Sequence, residues 1–196
     1  HGLSVPLVQE ITEGMQVTAA KQWKDQLKRL SEANDIEAIT PDTLQAELRD
    51  YQVEGYKWLV RLSHWGAGAC LADDMGLGKT IQAIGILLKR AHEGPALVVA
   101  PTSVCMNWMN EVARFAPILK LHRFGLLDRE KMLNEAGPFD LIICSYGLLH
   151  SESKRLVEIK WNTIILDEAQ AIKNTESKRT KAAFALQSNF KIATTG

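Results

Sequence analysis

Apolar residues along this chain of 196 residues follow two patterns. Short, largely apolar runs recur at Ala69-Cys70-Leu71-Ala72, Leu97-Val98-Val99-Ala100, Leu141-Ile142-Ile143-Cys144, Thr163-Ile164-Ile165-Leu166 and Lys191-Ile192-Ala193-Thr194, with a shorter Leu119-Lys120-Leu121-His122. Runs without polar alternation predict strands buried on both faces. Between them apolar residues repeat at threes and fours: Ile81, Ile84, Leu87 and Leu88, then Val104, Trp108, Val112 and Phe115, each the inner face of a helix. A weaker helix is expected over 128–135 and another over Ser177 to Leu186, with breaks at Gly94-Pro95, Pro101, Pro117 and Gly137-Pro138. Strands alternating with helices predict a doubly wound α/β fold with a mostly parallel sheet, whose ligands bind beyond the carboxyl ends of the strands.

Upstream the pattern differs. From Val17, residues Ala20, Trp23, Leu27 and Leu30 lie on one helical face, and a loop over Asp35 to Thr43 separates them from the rest. We expect a helical extension without an assignable role at 1–43 and the α/β lobe at 44–196. The lobe opens with a helix or helix pair carrying Leu44, Leu48, Tyr51, Gly55, Leu59 and Leu62 up to the turn His64-Trp65-Gly66-Ala67-Gly68. Trp58 and Trp108 are read as core residues of their helices.

Composition narrows the partners. Hydrophobic residues make up 46%, and the 23 basic residues balance the 23 acidic ones, which is ordinary for a globular domain and lacks the basic footprint of an autonomous nucleic-acid binder. Cys70, Cys105 and Cys144 are widely spaced and lie in or beside apolar runs, which predicts buried reduced thiols, not zinc or disulfides. His64, His92, His122 and His150 share no ligand spacing, and the basic clusters Lys154-Arg155 and Lys178-Arg179 with Lys181 read as solvated faces. No run approaches the roughly 20 apolar residues of a membrane span, nor is there a signal peptide, so an intracellular protein without membrane contact is expected, cytoplasmic in a bacterium or nuclear in a eukaryote. The chain starts at His1 without methionine and stops at Gly196 directly after a strand, as an excised piece of a larger protein would.

Two segments carry chemistry. Asp73-Asp74-Met75-Gly76-Leu77-Gly78-Lys79-Thr80 follows the first strand and opens a helix. Glycines there can turn backbone N–H groups inward, Lys79 can reach β and γ phosphates, and Thr80 can ligate magnesium. The usual first glycine of such a loop is Asp73 here; alone, the segment is also compatible with an ordinary strand-to-helix turn bearing an exposed lysine. Asp167-Glu168-Ala169-Gln170 ends another strand, placing Asp167 to hold the metal and Glu168 to deprotonate water, the alternative being a surface acidic pair at a helix start. Together, on correctly typed elements, they favour Mg-ATP.

These motifs resemble those of the Swi/Snf-type ATPases of helicase superfamily two, in which aspartate takes the place of the first glycine and the acidic motif reads D-E-A-Q or similar. Leu48-Arg49-Asp50-Tyr51-Gln52-Val53-Glu54-Gly55-Tyr56-Lys57-Trp58-Leu59 looks like the family's upstream element, which assigns Gln52 to the adenine edge. Pro101-Thr102-Ser103 with Trp108 resembles the motif touching a nucleic-acid backbone, Ser145-Tyr146 resembles the next and is likewise expected to face nucleic acid, and Ala193-Thr194-Thr195-Gly196 looks like the start of the third. The resemblance covers about 44–196. It implies the first RecA-like lobe of an ATP-driven translocase on double-stranded DNA, with nucleotide contacts from Gln52, Asp73, Met75, Gly76, Leu77, Gly78, Lys79, Thr80 and Gln170, magnesium on Thr80 and Asp167, and catalysis by Lys79, Asp167 and Glu168. Arginines from a second lobe would complete the site, so this lobe alone is expected to hydrolyse almost no ATP. The competing readings are an RNA-helicase or restriction-type motor of the same superfamily, and a nucleotide-dependent interaction module that binds other proteins without turnover.

Overall fold

The computed structural model describes residues 21–72, 76–125 and 128–195, apart from the side chains of 21–24 and 34. The expected helix start at Val17 and Ala20, the side chain of Trp23, and Asp73, Asp74, Met75 and Gly196 lie outside the described residues. Helix α1 (Lys21–Asn34) precedes α2 (Asp50–Trp65), β1 (Ala69–Leu71), α3 (Lys79–Arg90), β2 (Ala96–Ala100), α4 (Thr102–Phe115) and β3 (Lys120–Arg123). Then follow α5 (Arg129–Asn134), β4 (Asp140–Ser145), α6 (Tyr146–Ser151), α7 (Ser153–Glu158), β5 (Trp161–Leu166), α8 (Lys178–Ala185) and β6 (Ser188–Thr194).

The strands form one sheet in the order β1-β6-β5-β2-β4-β3, and every neighbouring pair is parallel. From β1 to β3 the chain steps one way along the sheet; from β3 to β6 it steps back. Because parallel crossovers are right-handed, the reversal sends α3 and α4 to one face and α5 to α8 to the other. Alternate strand residues accordingly enter different cores: Val98, Ala100, Leu141, Ile143 and Ile165 pack with α2, α3 and α4, while Leu97, Val99, Ile142, Cys144 and Ile164 pack with α5 to α8. Burial on both faces is why these strands read as unbroken apolar runs, each buried Ile, Leu or Val contributing about 1.5–3 kcal/mol.

Several expectations need correction. Helix α2 begins at Asp50, with Leu44 and Leu48 in the preceding loop, and its buried residues are Gln52, Tyr56, Leu59 and Val60. Tyr51 and Trp58, seven residues apart, share its outer stripe and are 42% and 41% exposed, so Trp58 is not core. Cys70 is exposed too, because edge strand β1 presents it on the face that α5 to α8 leave uncovered there, whereas Cys105 and Cys144 are buried as expected. Thr102 is the first residue of α4 and Pro101 the capping position. Both basic clusters are exposed, and Lys154, Lys178 and Lys181 line one groove between α7 and α8.

Two buried arrangements fix α3 at its sides and far end. Gly55 and Gly85 let α2 approach α3: a Cβ on Gly55 would lie 1.9 Å from Gln82 Oε1, and one on Gly85 would lie 3.0 Å from the Tyr56 ring. At the last turn, the Arg90 guanidinium donates to Asn162 Oδ1 at 2.8 Å and Thr163 Oγ1 at 3.1 Å, pairs with Glu93 at 2.8 Å and stacks over Phe190.

Tyr56 also ties the loop between α1 and α2 to the core. Its hydroxyl donates to the Ile39 carbonyl at 2.9 Å, and Ala38 and Leu44 share its cluster. Burial pushes the phenol up from 10.0 to about 12. Below pH 10 both folded and unfolded forms are protonated. Between 10 and 12 only the unfolded phenol ionises, so folding stability should fall there by about 1.4 kcal/mol per pH unit. Tyr56→Phe is expected to cost about 1 kcal/mol at pH 8 through the lost hydrogen bond but to remove this alkaline component. Urea unfolding at pH 8 and 11 checks it; equal losses of stability in both proteins would contradict the assignment.

Candidate functional site

The loop after β1 is shaped by two glycines with left-handed backbone, Gly76 at φ 87° and Gly78 at φ 76°. Gly78 caps α3, and a Cβ there would meet Gln52 Nε2 at 2.3 Å, so any side chain faces both strain and collision. The first helical bond runs from Gln82 N to Gly78 O. The positive end of the α3 dipole therefore lies at the loop, beside the first turn that carries Lys79 and Thr80.

Gln52 joins the upstream helix to this loop. It is 9% exposed; its Oε1 accepts from Arg49 N at 3.0 Å, closing the start of α2, and its Nε2 donates to Leu77 O at 3.1 Å. Among the described residues, one N–H and one lone pair of the amide remain beyond these two bonds.

Strand β6 separates β1 from β5, so the loop and the acidic pair emerge from strand ends two spacings apart, about 10 Å. Asp167 is held on every side. Its N–H donates to Val99 O at 2.8 Å, and its carbonyl accepts from Tyr146 OH at 2.9 Å. Its Oδ2 accepts from Trp108 Nε1 at 2.7 Å, and its Oδ1 accepts from Thr194 Oγ1 at 2.5 Å and Glu168 N at 3.0 Å. Glu168 itself sits at φ 50°, ψ 52°, an unusual backbone for a residue with a Cβ and of the kind that gathers at functional sites. Gln170 Nε2 donates to Glu168 Oε2, while its Oε1 accepts from Thr195 Oγ1 at 2.9 Å. Gln170 thus braces Glu168 against the end of β6.

Among residues expected to face nucleic acid, Thr102 and Ser103 are exposed at the start of α4, and Pro101 lends its carbonyl to Val104 N and Cys105 N. Ser145 Oγ caps α6 by accepting from Leu148 N at 3.2 Å. Thr102 and Ser145 line one cavity of about 150 Å³ together with Arg123 and Gly125. Tyr146 is a correction: it is 3% exposed, its ring lies in the second core and its hydroxyl is committed to Asp167, so its side chain is an internal brace and not a surface contact. Burial, and then the charges of Asp167 and Glu168, push its phenol upward, keeping it a donor. Arg123 was missed because the expected strand stopped at His122. Its position at the carboxyl end of β3 was the available signal.

A six-stranded parallel sheet with this loop at one strand end and an acidic pair two strands away is a RecA-like lobe by class. The chain belongs to the SNF2-related domain family, whose model matches residues 51–196. It is 40% identical to YwqA of Bacillus subtilis over 191 residues, covering 93% of this chain and 21% of that protein. It is 39% identical over 165 residues to the ISWI chromatin-remodeling complex ATPase CHR11 of Arabidopsis thaliana, covering 80% of this chain and 16% of that one. Among solved structures, the SWI2/SNF2 ATPase core of Sulfolobus solfataricus in complex with dsDNA superposes with a TM-score of 0.75 at 40% identity, covering 82% of this chain and 34% of that core. The chain thus spans about a fifth of the length of the first relative and a third of the solved core.

Proposed function

We propose that this lobe binds Mg-ATP at the loop and acidic pair, and that the intact protein spends ATP hydrolysis on movement along duplex DNA. We take 44–196 as the lobe, with 1–43 as an extension of unassigned role. Gln52 reads the adenine; Gly76, Leu77 and Gly78 shape the phosphate cradle, to which Asp73 and Met75 belong by sequence; Lys79 reaches the β and γ phosphates. Gln170 is a brace of Glu168 in this reading. The observation that carries it is the Gln52 amide bonded to the phosphate-type loop at the sheet end where Asp167 and Glu168 emerge.

The donor set suits magnesium. Asp167 and Thr80 offer hard oxygens, and among the described residues no three His, Cys, Asp or Glu side chains cluster, so phosphate oxygens and water would complete the shell, as magnesium accepts. Magnesium, when bound, supplies neutralisation of phosphate charge. Glu168 orients and deprotonates the attacking water. Thr102, Ser103 and Ser145, with Arg123 beside them and Pro101 setting the turn, face the DNA backbone; the solved core bound to dsDNA supports duplex as the partner.

Lys79→Ala is the direct test. Loss of a charge-assisted contact should weaken Mg-ATP binding about 10–100-fold in a calorimetric or fluorescent-nucleotide titration. Equal affinity in the two proteins would count against the phosphate assignment.

A further inference from the structure

Trp108 is buried on α4 and its indole N–H reaches Asp167 Oδ2 at 2.7 Å. A buried indole needs an acceptor, but any carbonyl would serve. The choice of acceptor matters because of what the other donors do. Oδ1 already accepts from Thr194 Oγ1 and Glu168 N, which occupies both of its lone-pair directions. Among the described residues Oδ2 accepts from Trp108 alone, which leaves one acceptor direction of the carboxylate, on the oxygen that the indole holds. Whatever Asp167 offers to a cation, it offers along a line that Trp108 sets.

We propose that Trp108 is a positioning residue for the Asp167 carboxylate, acting through its indole N–H to aim the free direction of Oδ2 at a divalent cation bound with nucleotide. The inference rests on the Mg-ATP reading above. Without the N–H, the carboxylate keeps its two bonds on Oδ1 but gains a second direction on Oδ2 and freedom to tilt about the Oδ1 anchor. Partners of this kind, one step behind a metal ligand, typically change metal affinity 10–100-fold. Helix α4 begins at the exposed Thr102 and Ser103, so displacement of that helix by a partner would be felt at Asp167 through the same bond.

The test is the magnesium requirement of nucleotide binding by the intact protein, titrated with a fluorescent ATP analogue at fixed nucleotide and rising magnesium, and again in EDTA. Trp108→Phe should raise the half-saturating magnesium concentration about tenfold or more and leave binding in EDTA within about twofold. In an Asp167→Asn background, where the carboxylate is already gone, adding Trp108→Phe should change the magnesium response no further. An unchanged half-saturation in Trp108→Phe, or an equal further loss in the Asp167→Asn background, overturns the proposal. Should Trp108→Phe not fold, site-specific replacement of Trp108 by its benzothiophene isostere removes the N–H at nearly constant volume and carries the same two expectations. A wild-type protein whose nucleotide binding ignores both magnesium and Lys79→Ala would instead overturn the Mg-ATP reading, and this inference with it.

Discussion

Glu168→Gln in the intact protein is expected to lower DNA-stimulated ATP hydrolysis by about 100-fold or more while leaving nucleotide affinity within about twofold. The glutamine keeps the side chain's volume, and its carbonyl oxygen can still accept from Gln170 Nε2, so the brace to Thr195 persists. The left-handed backbone at 168 is held by the N–H to Asp167 Oδ1 and by the short helical turn over Ala169–Ile172, neither of which depends on the carboxylate. What disappears is the capacity to take a proton from water. Phosphate release with and without duplex DNA, paired with a nucleotide titration, separates the two effects. Full turnover in the variant would overturn the role given to Glu168, whereas no DNA-stimulated turnover in the wild type would remove the motor reading and favour a nucleotide-dependent interaction module.

Residues 1–196 alone are expected to turn over ATP at least about a thousandfold more slowly than the intact protein, the scale at which an arginine supplied from a second lobe acts. In the Mg-ATP reading Lys79, Asp167 and Glu168 follow the carboxyl ends of strands of a single sheet, and the positive charge that would meet the γ-phosphate is proposed to come from another part of the intact protein. Side-by-side phosphate-release assays check this, with Lys79→Ala as the background. A rate within tenfold of the intact protein would show that one lobe suffices.

The strands were legible because burial on both faces writes itself as unbroken Leu, Ile and Val, and the proline and glycine breaks marked most helix ends. Helices α6 and α7 were not assigned from the sequence: at six residues each they are too short to show a period, and α6 is fixed by the Ser145 cap and by packing of Tyr146 and Leu149. Helix α2 was read about one position out of phase, with Tyr51 taken as inward in place of Gln52. Hydropathy cannot see that a buried glutamine is satisfied by Leu77 O and Arg49 N. At the candidate site, the sequence brought forward Lys79, Asp167 and Glu168 through their spacing from glycines and strand ends. The bond from Trp108 and the inward turn of Tyr146 depend on distant elements meeting at Asp167, and no local pattern encodes them.

Strand β1 pairs only with β6, which comes almost at the end of the described chain. The four strands β5-β2-β4-β3 can assemble from sequence-near segments, but β1 must wait for β6, and closing so long a loop is the slow part of building such a sheet. During synthesis from the N-terminus the phosphate-type loop therefore emerges early and gains its frame last. If the loop and acidic pair hold Mg-ATP as proposed, the lobe becomes able to do so only when nearly all of it has been made, so an incomplete copy has little opportunity to sequester nucleotide.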